Sequence, residues 1–204
     1  MKCAAMVLAC CCACSLGGKQ PQYDYFVLTP THALAEPRAQ THEATRPTVG
    51  VSQVTIPGYL DRESIVTRTD DHRVVYSKRE RWAEPLDKAF ESTLRHELAA
   101  TLAPVGITVP SWTGSPTYDV QVDLLRFERR GANRVELWSR WTLRMHSKLV
   151  HTGETRIQVP IAGSGDAAAA AALSGAIARL ASEIAAKVQL AEAELGEREP
   201  QAQN

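Results

Sequence analysis

From Ser15 to its end the chain has no cysteine: all five lie between Cys3 and Cys14 (Cys3, Cys10, Cys11, Cys12 and Cys14). A disulfide framework, a catalytic thiol, a zinc knuckle and an iron–sulfur site are thereby excluded for everything downstream. Charge of one sign is missing too. Lysine plus arginine (23) balances aspartate plus glutamate (23), so the chain lacks the broad positive field with which a nucleic-acid binder holds phosphates. There is no G-x-x-x-x-G-K-[ST] and no G-x-G-x-x-G after a strand, so ATP hydrolysis is not expected of this chain. The six histidines (His32, His42, His72, His96, His146 and His151) contain no H-x-x-x-H or H-E-x-x-H pair. No metal or other cofactor is expected. Gly163-Ser164-Gly165 is shorter than a G-x-S-x-G elbow and reads as a turn, so no enzyme is expected either.

A length of 204 residues suits one compact domain with short appendages. Lys2 supplies a minimal positive n-region, and Cys3 to Ala13 is apolar and uncharged. At ~1.5 Å per residue this run covers roughly half of the ~30 Å hydrocarbon core, too little for a spanning helix. A cysteine flanked by small residues at the switch from apolar to polar is what lipoprotein processing needs, and Cys14 fits best. It follows Ala13 and precedes the flexible run Ser15 to Gln22, which suits a tether. Two alternatives stand beside it: Cys10, preceded by Val7-Leu8-Ala9, or an ordinary signal peptide with no acylated cysteine. Ser15 in place of aspartate favours the outer membrane, by the sorting rule of lipoproteins generally. The expected layout is a signal at 1–13, a lipidated tether at 14–22, one domain at 23–195 and a disordered tail at 196–204.

Within the domain, Tyr23 to Leu28 reads as a first strand, and His32 to Pro47 as a loop. Thr48 to Ile56 alternates with a phase slip at Gln53, which predicts a strand with a bulge. Ile65–Arg68 and Arg73–Tyr76 flank Asp70-Asp71 as a hairpin. Pro85 opens a helix whose Leu86, Phe90, Leu94, Leu98 and Leu102 form one apolar face, and Pro104 and Gly106 end it. Ile107–Val109 reads as a short strand before the turn-rich Pro110 to Pro116. Tyr118–Leu124, Val135–Met145 and Leu149–Pro160 form a meander. Asp166 is expected to cap a last, alanine-rich helix that Gly196 stops. The layout is two helices against one mixed or antiparallel sheet.

Asp119, Gln121 and Asp123 share one face of their strand, as a carboxylate pair, as an oxygen-rich metal face, or simply as the polar side that alternation produces. Trp138 and Trp141, three apart on a strand, face opposite sides: one belongs to the core and the other is a partner-contact candidate. His96 points away from the leucine stripe, toward solvent.

The segment Val51-x-x-Val54-x-Ile56-Pro57-x-Tyr59-Leu60-Asp61-Arg62-x-x-Ile65-Val66-x-Arg68, followed by Trp82-Ala83-Glu84-Pro85-Leu86, resembles the PqiC-type lipoproteins, or ABC-type transport auxiliary lipoprotein components. The likeness extends through the strands around Tyr118–Phe127 and Trp138–Leu143 to the final helix, and the Cys14-Ser15 start agrees with it. It implies an α/β (α+β-like) sandwich, one mixed, largely antiparallel sheet packed by two main helices, similar to the TolB N-terminal domain. It also implies an outer-membrane lipoprotein facing the periplasm. Its partners would be an MCE-domain protein and an ABC permease and ATPase that move lipids between the envelope membranes, and the chain could also self-associate. The partner-binding candidates are Tyr59, Asp61, Arg62, Arg68 and Trp82. Asp61 and Arg62 have a second reading as a pair capping the hairpin, and Trp82 as a staple over the first helix.

Overall fold

The structure is a computed structural model that describes residues 22–32, 46–110 and 114–198. The expected signal, nearly all of the tether with Cys14 and Cys10, the centre of the His32–Pro47 loop and the end of the tail lie outside the described residues. Seven strands and two main helices follow one another: β1 (Asp24–Phe26), β2 (Val49–Thr55), β3 (Ser64–Asp70), β4 (Arg73–Trp82), α1 (Leu86–Leu102), β5 (Tyr118–Arg130), β6 (Arg134–Met145), β7 (Lys148–Pro160) and α2 (Asp166–Arg198). They form the mixed sheet and helix pair that the sequence predicts. The strand order is β1-β4-β3-β5-β6-β7, with β2 beside the first half of β5, on the edge whose far end pairs with β3. β3–β4 and β5–β6–β7 are antiparallel; β1–β4, β2–β5 and β3–β5 are parallel.

Both helices pack on one side of the sheet, α1 over β2 and α2 over β6 and β7. The leucine stripe of α1 is buried from Leu86 to Leu102. Phe90 meets Phe127 of β5 edge-on, with ring centroids 5.2 Å apart and planes at 88°. A single turn of 3-10 helix over Ala103–Val105 then leads to Gly106, whose φ of 78° is the left-handed conformation that ends a helix and that glycine adopts without strain. α2 is long and apolar enough to cross a membrane, but Leu173, Ile177, Leu180, Ile184 and Val188 are buried in the core.

Two bulges set which side chains reach that core. The first, between Val51 and Gln53, is the predicted slip in β2. The second, between Leu124 and Arg126 of β5, changes the phase of the strand. Before it Tyr118, Val120, Val122 and Leu124 face the helices; after it Phe127 does, and Glu128 turns to the opposite face. On β6 the indole of Trp141 enters the core and donates from Nε1 to Thr155 Oγ1 at 3.0 Å. Its cross-strand neighbour is Gly153. The indole occupies the space where a Cβ would project, so only glycine fits there.

The segment after β1 is strapped across the helix layer. Thr29 N donates to Ser174 Oγ of α2 at 3.0 Å. Thr31 donates through both N and Oγ1 to the buried Glu97 carboxylate of α1, and His32 Nδ1 lies 2.6 Å from its other oxygen. Burial pushes the Glu97 carboxyl upward, but the bonds from His32 and Thr31 outweigh it and hold it below the ordinary carboxylate range.

Four expectations are corrected. β4 runs on to Trp82, because β1 pairs with Glu80, Arg81 and Trp82 and supplies the ladder partners that a strand needs. Ile107–Val109 forms no strand; hemmed between Gly106 and Pro110, it makes a single bridge, Thr108 with Thr48. Asp166 is the first residue of α2, not its cap, and its carboxylate pairs with Arg129. Gly196 does not stop α2, which continues to Arg198; one glycine costs only ~1 kcal/mol against an alanine-rich run.

Candidate functional site

The face of the sheet turned away from the helices carries a charged network in cross-strand rows. Arg126 of β5, Trp138 of β6 and Arg156 of β7 form one row. Glu128, Glu136 and Gln158 form the next, and Arg130, Arg134 and Pro160 the one after. Two carboxylates thus sit directly opposite each other, which would repel if left alone. Arginines resolve this. Glu136 Oε1 accepts from Arg156 Nε at 2.7 Å and Nη2 at 2.6 Å. Its Oε2 accepts from Arg126 Nη1 at 3.2 Å and Arg130 Nη1 at 3.4 Å. Glu128 accepts from Arg68 Nε of β3. Both glutamates are fully buried although no helix covers them: the guanidinium groups lie over them and face outward.

Burial pushes the Glu136 carboxyl upward, but the bonds from Arg156 and Arg126 and the charge of Arg156 prevail and hold it below the ordinary carboxylate range. Arg68 and Arg130 are held in their charged forms beside Glu128 and Asp71. Burial, together with the neighbouring Glu128, raises the Tyr59 phenol, which therefore stays protonated.

Aromatic rings complete the surface. Guanidinium carbons stand over aromatic rings in five pairs: Arg126 and Arg156 each 5.2 Å from Trp138, Arg68 5.6 Å from Tyr59, Arg62 5.2 Å from Tyr76, and Arg81 4.7 Å from Tyr23. A chain of this size ordinarily has about three such pairs, and all five of those among the described residues belong to the helix-free face. Toward the start of β5 the same face becomes acidic. Ser52 Oγ and Gln121 Nε2 donate to Asp119 Oδ2 at 2.9 and 3.2 Å, and Thr55 Oγ1 donates to Asp123 Oδ1 at 2.5 Å. Hydroxyl and amide partners from neighbouring positions occupy one oxygen of each carboxylate, and no group of three His, Cys, Asp or Glu among the described residues could hold a metal.

Of the candidates named from sequence, the structure brings Tyr59 and Arg68 together in this network. Asp61 and Arg62 are exposed on the loop before β3. Arg62 stacks on Tyr76 and forms no ion pair with Asp61. Trp82 is 5% exposed and belongs to the core. Trp141 is the core tryptophan, and Trp138 is the one on the open face. His96 is exposed, with Nδ1 on Ser92 O at 2.8 Å. Sequence reasoning missed Glu128, Glu136, Arg126, Arg130 and Arg156. A signal existed: Arg126-x-Glu128-x-Arg130 and Arg134-x-Glu136-x-Trp138-x-Arg140 each occupy one strand phase and are joined by a tight turn.

One side of the sheet is sealed by helices and the other presents arginine and aromatic groups. The chain belongs to the family of ABC-type transport auxiliary lipoprotein components, whose model matches residues 26–185. It is 30% identical over 100 residues to the intermembrane transport lipoprotein PqiC of Escherichia coli K12, and equally to that of Shigella flexneri. The match covers 49% of this chain and 53% of each relative, about half their length. The crystal structure of an uncharacterized protein superposes with a TM-score of 0.69 at 21% identity, over 82% of this chain and 99% of the other. A Xanthomonas campestris protein does so with 0.64 at 16% identity, over 85% and 99%. At these identities the two structures show the shared fold alone.

Proposed function

We propose that this chain is a non-enzymatic accessory lipoprotein of an MCE/ABC-type lipid transport system. In this reading residues 1–13 are a signal, an acylated Cys14 (with Cys10 as the alternative) ends the tether 14–22, and the domain docks the periplasmic lipid conduit at the outer membrane. The partners are an MCE-domain protein and, through it, an ABC permease and ATPase, with self-association of the domain as a further contact. The observation that carries the reading is the helix-free face. Its paired carboxylates and arginines form a surface of fixed shape and charge, with Trp138 as a central aromatic anchor, and aromatic and arginine anchors are what docking interfaces are built from. Within the network Glu136 is held ionised by three guanidinium groups and Tyr59 is held protonated.

Purification of the tagged chain from detergent-solubilised envelope is the test. Recovery of an MCE-domain protein supports the reading, and a monomeric chain recovered without one contradicts it. Mass spectrometry of the mature N-terminus, with and without Cys14→Ala, tests the anchor separately. A second reading, a carrier that holds a lipid between helix and sheet, needs an apolar cavity there. The helix–sheet interface is instead filled by contiguous buried side chains, including Phe90, Phe127, Tyr118 and Trp141. A cleft at the β5–β6 turn is lined by polar groups, among them Arg130, Asn133, Arg134 and Gln158.

A further inference from the structure

The N-terminal end of the helix-free face differs from its middle. Tyr25 lies directly opposite Arg81, so their side chains share a side of the sheet. Ser64 opposite Arg81 and Val66 opposite Tyr76 bring Tyr76 to that side as well, because residues two apart on β3 point the same way. Tyr23 and Val27 follow from Tyr25 by the same alternation, and the Tyr23 ring does lie under the Arg81 guanidinium. In the middle of the face the carboxylates are buried and the rings half-buried. Here the large side chains are open to solvent: Tyr25 is 62% exposed, Val27 53%, Tyr23 38% and Tyr76 36%.

The charges differ as well. Among the described residues neither Arg62 nor Arg81 is paired with a carboxylate. Arg81 donates to the backbone carbonyls of Ser77, Lys78 and Glu80, and Arg62 has only its stacking on Tyr76. Exposed Lys78 and Arg79 continue the basic strand; Arg79 has one loose ion pair, 3.7 Å to Asp24. Tyrosines, exposed aliphatic groups and uncompensated cations are the combination found in the headgroup layer of a bilayer, where the phenol reaches water, the ring meets the acyl boundary and the cation meets phosphate.

We propose that the patch formed by Tyr23, Tyr25, Val27 and Tyr76, with Arg62 and Arg81, rests on the phospholipid leaflet that holds the anchor and binds its anionic headgroups. The proposal builds on the acylated-cysteine reading above. Nine residues, 14 to 22, extend at most ~3.6 Å each, so β1, the first element after the tether, stays within about 30 Å of the bilayer. The patch is the first surface the tether brings to the lipid. An acyl chain plus a basic aromatic surface would fix orientation as well as attachment, with the Trp138 region further along the sheet left for a partner.

The test uses the mature lipoprotein reconstituted into vesicles of phosphatidylethanolamine and phosphatidylglycerol and recovered by flotation. A photoreactive benzoylphenylalanine replaces Tyr25 or, as a second site, Val27; the control replaces Leu149, equally apolar and 58% exposed but on the opposite edge strand. Irradiation should give at least about fivefold more phospholipid adduct from the two patch sites than from position 149. Replacing Arg62 and Arg81, the two cations of the patch, with serine should lower the adduct by about tenfold or more, since each basic residue near an anionic surface is worth about fivefold. Flotation with equal adducts at all three positions, or adducts at the patch that are a second copy of the chain, would overturn the orientation while leaving the anchor intact. Failure to float would overturn the anchor reading, and this proposal with it.

Discussion

Trp141 and Trp138 stand three residues apart in β6 and meet opposite conditions. Trp141 is 1% exposed, under the helices, with its one polar atom bonded to Thr155. Trp138 lies on the open face between two guanidinium groups and donates to the exposed Glu154 at 2.9 Å. The first face gains stability by removing apolar surface from water. The second buries two carboxylates, whose desolvation largely cancels the attraction of the arginines, so such a network contributes little net stability. It fixes charge and shape at a surface instead. The covered face holds the fold, and the open face presents fixed charges and an aromatic ring to solvent.

The largest effect should come from the covered face. Trp141→Ala should destabilise by ~3–5 kcal/mol, and Gly153→Ala, which pushes a methyl into the same indole, by ~1–3 kcal/mol, both read from denaturant midpoints. Glu136→Ala should cost ~2 kcal/mol, less than the usual range for a broken buried pair because the freed arginines can rehydrate. A loss as large as that of Trp141→Ala would erase the distinction between the faces.

Acid should act on a buried carboxylate on each side of the sheet. The Glu136 and Glu97 carboxyls lie below their unfolded values, so their contribution is fully present above about pH 4.3. It is lost as pH falls through the lowered folded-state values. Unfolding measured from pH 6 downward should steepen below about pH 4, and Glu136→Gln should flatten that dependence; an unchanged slope would remove Glu136 from the network. The smallest effect on stability is expected for Trp138→Ala, ~1 kcal/mol or less, since exposed cation–π pairs contribute little.

The layers were legible in the sequence because apolar periodicity reports them directly. The stripe from Leu86 to Leu102, the slip at Gln53 and the opposite faces of Trp138 and Trp141 all appear in the structure. The network was less legible, because it depends on register. The bulge after Leu124 ends the visible alternation, so Glu128 and Arg130 fell outside the strand as read, and nothing local says that Glu128 will face Glu136. Tyr59 and Arg68 came forward through family resemblance alone. Their reason is physical: the ring and the guanidinium close one end of the carboxylate pair. The end of α2 was misread because glycine is a weak stop inside an alanine-rich helix.

The most direct measurement is recovery of an MCE-domain protein from solubilised envelope by the chain carrying Trp138→Ala and Arg156→Glu, compared with the unaltered chain. Recovery should fall by about tenfold or more, the effect of losing ~1.4 kcal/mol or more of binding, while flotation with the membrane persists and Leu149→Ser at the remote edge leaves recovery unchanged. Undiminished recovery by a folded double variant would contradict the assignment of the open face as the docking surface.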